Sequence, residues 1–439
     1  MIKRRRFPKI FFGWWAVITG GFIMLWVGGF QHYGFSALFK PIASELGLSR
    51  AAASVAGGIT RIEGGLQAPL AGWATDRFGP RVVIFLGILL WGLGMVLMYY
   101  VNSLWAFYIV WGIIIGTGFN MSATIPVDKA ISNWFVKKRG IAIGTKYVIS
   151  GFVGALVTFV AWLIIKLGWR MTLVIGGVVM WLVGLPLVWF CIRPHRPEYY
   201  GLLPDGAATE EETTDESQMI EKGVKYAAEV EEVEFTLRQA LRTRAYWPLI
   251  TAQGAHALVI GAINLHLVPY LTDIGIGPVV AAGMMGIMIF SGVPMRLAFG
   301  FIADRASRNQ LRFVIAGGYG IQAISFAIFL LNPESMSSIY VWLVLYGLGM
   351  GASLPVSATM VGRYFGRKAF GSIRGSQNMF MAVPGLLAPI YAGWVYDTTG
   401  SYITAFTQLA VALAVATVIM TLATPPKPPA KVTDIRTIV

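Results

Sequence analysis

Two things are scarce in this chain of 439 residues: cysteine, which occurs once, and charged residues, which make up 13% of it. Soluble proteins carry about 25% charged residues, whereas 56% of this chain is hydrophobic and its mean hydropathy is +0.66. The shortage of charge excludes an ordinary soluble enzyme and indicates a membrane protein with many spans. The single Cys191 excludes an internal disulfide framework and a cysteine-rich metal site.

Motifs for catalysis are also lacking. The chain has no Walker loop, no zinc motif and no plausible catalytic triad, and its four histidines show no metal-ligand spacing. We therefore expect no enzymatic activity, no cofactor and no metal. The net charge of +14 does not indicate a nucleic-acid partner, because the basic excess lies in short loops between apolar runs, where it reports membrane topology.

Twelve apolar runs are long enough to cross a bilayer, which takes about 20 residues of helix. The first run is too long for a cleavable signal and has no small-residue cleavage site. The predicted spans are 12–35, 51–74, 82–101, 104–126, 141–165, 170–191, 246–271, 278–302, 312–331, 338–361, 371–395 and 401–423.

The basic residues set the orientation. With the N-terminus inside, the loops and tails on that side carry nineteen Lys and Arg outside the central loop, and the opposite loops carry four. The positive-inside rule places both termini in the cytoplasm of a cell inner-membrane protein. We expect an N-terminal six-helix bundle (1–191), a cytoplasmic central loop that is mobile at first and holds a short amphipathic helix (192–245), and a C-terminal six-helix bundle with a cytoplasmic tail (246–439).

Two motifs recur along the chain. G-x-x-x-D-R ends the second span at residues 72–77 and returns 228 residues later at the end of the eighth span. An aromatic pair, two basic residues and a glycine precede both the fifth and the eleventh spans, with an offset of 231 residues between Gly140 and Gly371. Nearly equal offsets indicate one duplicated half, as in transporters built from parallel repeats around a central substrate site.

Residues 72–81, GWATDRFGPR, resemble the loop 2–3 signature of the major facilitator superfamily, with a weaker copy at 300–305. The resemblance implies an all-α membrane protein with twelve transmembrane helices in two pseudo-symmetric six-helix bundles. Within that superfamily the chain looks most like the branch of monocarboxylate transporters and oxalate/formate antiporters. That closer resemblance rests on residues 133–135 with 137–144, on residues 196–206, and on Arg296-Leu297 ahead of Gly300.

The repeated motif predicts a gate. A carboxylate at a helix end, Asp76, beside Arg77 and Arg81 can form a charge cluster that latches two helices in one conformation, and a few kcal/mol suffice to bias such an equilibrium. The alternative is that these charges only anchor the topology; for Asp304 and Arg305 the two interpretations are balanced. The predicted gate motif comprises Gly72, Asp76, Arg77, Gly79, Arg81, Asp304 and Arg305.

Charges within spans cost at least ~2.5 kcal/mol each and mark a pathway or a partner. Arg296 lies eight residues before Asp304, roughly 12 Å below the end of its helix. Facing the cavity, its guanidinium would offer two parallel donors to a carboxylate. The family resemblance implies that an arginine at this place binds the substrate carboxylate. The alternative is a structural salt bridge.

Four other charged residues lie within spans: Arg61, Glu63, Lys146 and Arg374. Arg61 and Glu63 are about 200° apart on the second span, so that one can line the path while the other pairs with a neighbouring helix. Glu63 is a candidate proton carrier or, equally, a partner for Arg61, Lys146 or Arg296. Lys146, six residues into the fifth span, either suits an anion with more than one charge or is neutralised by Glu63.

Polar residues on cavity-lining helices complete the predicted site. First and seventh helices line the cavity in this fold class, which makes His32, Tyr33 and His266 candidate substrate ligands or proton relays. Asn378 stands in the region where oxalate carriers have a lysine, and Gly292 stands where proton-coupled monocarboxylate carriers have an aspartate. We expect Asp128 and Lys129 to be interfacial, and Arg374 to snorkel to the interface.

These features predict a secondary active transporter of small organic anions, mono- or dicarboxylates, that works by alternating access with proton symport or anion exchange. The alternative is a facilitator-type exporter of drugs or other small solutes, against which the cations Arg296 and Lys146 count. The expected partners are a small-molecule carboxylate, protons and the lipid bilayer, with no nucleic acid, and the protein is expected to be a monomer.

Overall fold

The computed structural model describes residues 11–47, 50–207, 216–229 and 233–428. Within these ranges it leaves out the side chains of residues 32, 33, 36, 39, 40, 50–61, 216, 217, 224, 228 and 278. The side chains of His32, Tyr33 and Arg61, predicted to belong to the site, are therefore outside the described part. What is described is helical, with no strand among these residues, and the predicted all-α membrane fold is confirmed.

The helices before the central segment form what we call the N-terminal half. Short π-helical segments at Gly29–Tyr33, Tyr108–Ile115 and Met180–Gly184 join several of them. The helices are α1 (Gly13–Gly28), α2 (Phe35–Glu45), α3 (Arg50–Phe78), α4 (Pro80–Leu97), α5 (Leu104–Phe107), α6 (Gly116–Ser122), α7 (Ile125–Trp134), α8 (Arg139–Gly151), α9 (Val153–Val179) and α10 (Leu185–Cys191).

The central segment holds two helices, and the helices after it form what we call the C-terminal half. The central helices are α11 (Glu216–Ala228) and α12 (Leu237–Leu241). The C-terminal half comprises α13 (Tyr246–Asp273), α14 (Pro278–Arg305), α15 (Leu311–Leu331), α16 (Met336–Met350), α17 (Ser353–Phe365), α18 (Phe370–Thr399) and α19 (Ile403–Thr421).

Ten helical stretches of the described chain are long and apolar enough to span a membrane. One of them, Arg139–Cys191, is 53 residues long and turns at Gly168, whose φ of 78° is open to glycine at little cost. It is long enough for two spans. Helix α3 is 29 residues long in addition to these ten, so the count is consistent with the twelve predicted spans.

The two halves pack against each other at one end of the bundle. There, a continuous core joins N-terminal residues such as Trp134 and Ile143 to C-terminal residues such as Phe365 and Met420. A second core, around Phe329, lies within the C-terminal half alone. We call the end that carries the central segment the linker end. Inter-half contacts run along α3 with α18 and α8 with α14, which are the seams at which the halves meet.

Candidate functional site

The first seam is fastened by Asp76, near the end of α3. Its carboxylate accepts hydrogen bonds from the backbone N–H groups of Gly371 (3.0 Å) and Ser372 (2.7 Å) and from the Ser372 hydroxyl, all in the first turn of α18. The first N–H groups of a helix lack intrahelical partners and favour an anion. A Cβ on Gly72 would lie 2.1 Å from the carbonyl oxygen of Gly371, so the seam requires glycine there. We call these contacts the first latch.

The second seam repeats the arrangement with the halves exchanged. Asp304, near the end of α14, accepts from the backbone N–H groups of Gly140 (2.6 Å) and Ile141 (2.8 Å) in the first turn of α8. A Cβ on Gly300 would lie 2.4 Å from the carbonyl oxygen of Gly140. In this second latch, the repeated G-x-x-x-D motif of one half again meets the repeated glycine of the other half.

The ionic partner of Asp76 differs from the prediction. Lys129 donates to Asp76 at 2.8 Å, whereas Arg77 lies near the rings of Trp73 and Phe78. The guanidinium of Arg81 stacks on the ring of Trp189 at 3.9 Å and donates to the carbonyl of Trp189. The expected cluster of Asp76 with Arg77 and Arg81 is therefore wrong, because both arginines pack on aromatic rings at the helix ends.

Two further members of the predicted gate motif have simple local roles. Gly79 lies between α3 and α4 with φ of 82°, a backbone conformation that favours glycine. Arg305 is exposed and places its guanidinium 3.4 Å from the centroid of the Phe301 ring. Lys129, which we expected at the interface, is buried and also donates to the backbone carbonyls of Arg367 and Lys368 in the C-terminal half.

The central segment braces the linker end, whereas the acidic run at 210–212, on which the expected mobility rests, lies outside the described residues. Arg367 pairs with Glu198 at 3.1 Å, with both side chains buried, and Arg196 pairs with Glu234 at 3.0 Å. Burial alone would raise the pKa of the Glu234 carboxyl, but the positive charges of Arg196 and Arg367 outweigh it and hold the pKa below its usual value. A cavity of about 250 Å³ is lined by Arg196, Glu198 and Arg367 on one side and by Asp76 of the first latch on the other.

Asp205 ties the central segment to the N-terminal half as well. The carboxylate of Asp205 accepts from the backbone N–H groups of Lys137 (2.8 Å) and Lys138 (3.0 Å), immediately before α8. The predicted short helix is present as α12, where Thr236 and Gln239 form a capping box. The central segment therefore contacts the linker ends of both halves.

A buried ionic cluster lies deeper than the first latch. Asp128 and Lys146 pair at 2.6 Å with both side chains fully buried, and the Arg374 guanidinium reaches Asp128 at 3.7 Å. The interfacial placement of Asp128, the snorkelling of Arg374 and the pairing of Lys146 with Glu63 were therefore wrong. These side chains face other helices and not lipid, because the closed linker end buries the first turns of α8 and α18.

Arg296 lies on α14 at the seam with α8. Its Nη1 donates to the backbone carbonyl of Tyr147 at 2.7 Å, across the two halves, and the side chain is half-buried. A Cβ on Gly151 would lie 3.6 Å from the same nitrogen. The guanidinium is thus at the boundary between the halves, seven to eight residues deeper along each helix than the second latch.

Glu63 is held by neutral groups of its own half. Its Oε1 accepts from Gln67 Nε2 at 2.6 Å and from the Thr117 hydroxyl. Its Oε2 is buried and, among the described residues, has no hydrogen-bond partner. The Glu63 carboxyl group can therefore take up a proton without breaking any ion pair among the described residues.

The other polar residues predicted to belong to the site, His266 and Asn378, lie on α13 and α18 of the C-terminal half. His266 is engaged within the C-terminal half, with Nε2 2.8 Å from the carbonyl of Pro389 and Nδ1 3.2 Å from the Tyr402 hydroxyl. Asn378 is half-buried on α18, one turn beyond Arg374. Lys146 and Arg296 both contact Tyr147, Lys146 at the ring and Arg296 at the backbone carbonyl, whereas Glu63 and His266 lie in separate networks.

Comparisons with known proteins agree with this architecture. The family model described as Major Facilitator Superfamily matches residues 21–387 and again residues 311–437. The chain is similar to Monocarboxylate transporter 12-B of Danio rerio, with 26% identity over 78% of this chain and 72% of that protein. It is similar to Monocarboxylate transporter 13 of Rattus norvegicus, with 25% identity over 92% of this chain and 87% of that protein.

A solved structure also shares the fold. The proton:xylose symporter XylE bound to 6-bromo-6-deoxy-D-glucose superposes with a TM-score of 0.71 and 14% identity, over 93% of this chain and 95% of that chain. At this identity the similarity concerns the fold alone.

Proposed function

The chain belongs to the major facilitator superfamily and is a membrane transporter, and on that premise we propose that it carries small organic anions, mono- or dicarboxylates, by alternating access. Transport is coupled to proton symport or to anion exchange. The names of the two monocarboxylate transporters to which it is similar support this substrate class. The observation that carries the proposal is the position of Arg296 at the boundary between the halves.

The Arg296 guanidinium has the chemistry that a carboxylate requires. A cation that lies within a membrane span is costly unless it serves a partner or a pathway. Its planar fork offers paired donors, and a carboxylate is a stronger acceptor for them than the neutral carbonyl of Tyr147. A substrate carboxylate that takes the place of that carbonyl would loosen a contact between the halves and so couple binding to their motion.

The proposal includes an orientation. We place the linker end in the cytoplasm of the inner membrane, in accord with the basic loops, so that the closed latches correspond to an outward-facing monomer. Substrate binding then leads to opening of both latches as residues 1–191 and 246–439 rock against each other. Glu63 is the proton carrier in the symport version, because its neighbours Gln67 and Thr117 are neutral and donate to it.

Uptake into proteoliposomes tests the substrate and the coupling. The purified protein is assayed with labelled mono- and dicarboxylates, with and without a pH gradient. Arg296→Gln is expected to raise KM by roughly 10- to 100-fold, because it removes one charge-assisted hydrogen bond worth about 1.5–3 kcal/mol. Arg238→Gln, at an exposed arginine on α12, is the matched control. Full-rate carboxylate transport by Arg296→Gln would remove the binding role.

The same assay tests the coupling residue. If Glu63 carries the proton, Glu63→Gln is expected to keep exchange of internal for external carboxylate and to lose acceleration by a pH gradient. Retention of that acceleration in Glu63→Gln would remove the proton role. If the pH gradient accelerates transport by neither wild type nor Glu63→Gln, and both proteins exchange carboxylates rapidly, the protein is an anion exchanger.

A further inference from the structure

The buried cluster of Asp128, Lys146 and Arg374 has an uneven distribution of charge between the halves. Asp128 on α7 and Lys146 on α8 both belong to the N-terminal half and lie 2.6 Å apart. Arg374 on α18 belongs to the C-terminal half and is 4% exposed. Its Nη2 lies 3.7 Å from Asp128 Oδ2, and its Nη1 donates to the Ser357 hydroxyl of the same half at 2.8 Å. Of these charge contacts, only the one between Asp128 and Arg374 crosses the boundary.

The cluster lies beside the first latch. Arg374 follows Gly371 by three residues, so it is one helical turn, roughly 5 Å, deeper than the contact with Asp76. The seam continues on both sides of it, since a Cβ on Gly375 would lie 2.3 Å from the carbonyl oxygen of Ala68. Opening the linker end therefore has to draw Arg374 away from Asp128.

Separation leaves the two halves with different charge. The N-terminal half keeps a neutral pair, because Lys146 stays with Asp128. The C-terminal half keeps the permanent charge of Arg374, with the neutral Ser357 as its nearest partner in that half. An uncompensated buried charge costs several kcal/mol, and water or an anion that enters from the linker end would reduce that cost.

Resting on the proposed function, we propose that Arg374 is a carboxylate-binding site of the conformation that is open at the linker end, and that Asp128 masks it when that end is closed. The guanidinium has donors for this purpose: its Nε is buried without a hydrogen-bond partner among the described residues, and its Nη2 is released by Asp128. Together these two nitrogens present parallel donors to one carboxylate.

An amide next to Arg374 extends the site. Gln377 lies one turn further into α18, is fully buried, and has no hydrogen-bond partner for either amide atom among the described residues. Unpaired buried amides are costly, and a carboxylate on Arg374 is one acceptor that a nearby N–H group can use. A substrate that enters from the linker end would thus meet Arg374 and Gln377 before the deeper part of the pathway.

The test compares the two faces of the carrier. Labelled lactate and labelled succinate are supplied to right-side-out and to inverted membrane vesicles, so that KM is measured from each end. Arg374→Gln is expected to raise KM from the linker end about tenfold and to change KM from the opposite end less than twofold, with partial recovery in Arg374→Lys. Arg238→Gln is the control for loss of an exposed arginine.

A conformational measurement tests the inference without relying on the stability of Arg374→Gln. Spin labels on cysteines at the exposed positions Phe78 and Asn309, in a Cys191→Ser background, report the opening of the linker end. The double variant Asp128→Asn with Lys146→Gln removes one charge of each sign and takes the counter-ion from Arg374. It is expected to increase the long-distance population, and an unchanged distribution would overturn the masking by Asp128.

The outcomes separate this inference from the proposed function. Wild-type protein that transports neither acid contradicts the proposed function and the carboxylate ligand with it. Wild-type transport together with an equal rise of KM at both faces in Arg374→Gln, or with no rise at the linker end, overturns the inference alone.

Discussion

Asp76 and Asp304 make the same contact from opposite halves: each carboxylate accepts the first backbone N–H groups of a helix that belongs to the other half. Because the two contacts lie on different seams, the linker end is closed on both sides at once. The contacts are carboxylate-to-helix interactions, so they need no arginine, and the ion pair of Asp76 with Lys129 lies within the N-terminal half and does not cross the boundary.

Removing the charge of either aspartate should favour the open linker end. A negative charge at a helix N-terminus contributes about 0.3–2 kcal/mol, so Asp76→Asn or Asp304→Asn should increase the population that is open at the linker end by several-fold. Distances between spin labels at Phe78 and Asn309 measure that population. Asp397→Asn, at an exposed carboxylate near the other end of α18, is the control. Distributions unchanged from wild type in both variants would contradict the latch.

The seams should also be sensitive to a single methyl group. A Cβ on Gly371 would lie 2.5 Å from the carbonyl oxygen of Gly72 and 3.0 Å from Asp76 Oδ1, so that Gly371→Ala must push α3 and α18 apart. We expect a shift toward the open linker end in the same spin-label assay. Gly393→Ala on the same helix is the matched control, because its Cβ would lie 3.6 Å from His266, an ordinary contact. Equal behaviour of the two variants would show that the close approach is not required.

Several parts of this arrangement follow from the sequence, and others do not. The repeat at Gly72 and Gly300 predicts equivalent positions, but equivalence does not say which elements touch, and the meeting of Asp76 with Gly371 is visible only in the fold. The fourth span was predicted to stop at residue 126, whereas α7 continues to Trp134. The polar side chains of its last turns face other helices, so falling hydropathy there marks packing and not the membrane surface.

The interfacial position predicted for Arg374 is wrong for a related reason. Its depth was counted correctly from Gly371, but snorkelling assumes that the start of the helix borders water or lipid headgroups. The closed seams bury the first turns of α18 against the N-terminal half. No pattern in a single sequence reports that burial, because it depends on the contact between the halves.

The ion pair of Arg367 with Glu198 should matter far more for stability than an exposed pair. Both side chains are about 5% exposed or less, and removal of one partner from a buried pair typically costs 3–5 kcal/mol. Glu198→Gln is expected to lower the Tm of the detergent-solubilised protein by several degrees. Glu221→Gln breaks the exposed pair with Lys225 and serves as control, with an expected change of less than about 0.5 kcal/mol. Similar Tm values for the two variants would contradict the bracing role of residues 196–198.

The stability that Glu234 contributes should depend on pH in a defined direction. In the folded protein the pKa of its carboxyl lies below the usual 4.5, since Arg196 and Arg367 favour the charged form more than burial opposes it. A lowered folded pKa gives stability that is fully present above the unfolded value and is lost as pH falls through the folded value.

Wild type should therefore have a higher Tm than Glu234→Gln at pH 7, and the difference should shrink as the pH is lowered below about 4.5. The glutamine in Glu234→Gln does not titrate. The difference between the Tm values of wild type and Glu234→Gln, followed over pH, therefore reports the Glu234 carboxyl separately from the other carboxylates. A difference that stayed constant or grew toward low pH would show that Glu234 acts through packing and not through its charge.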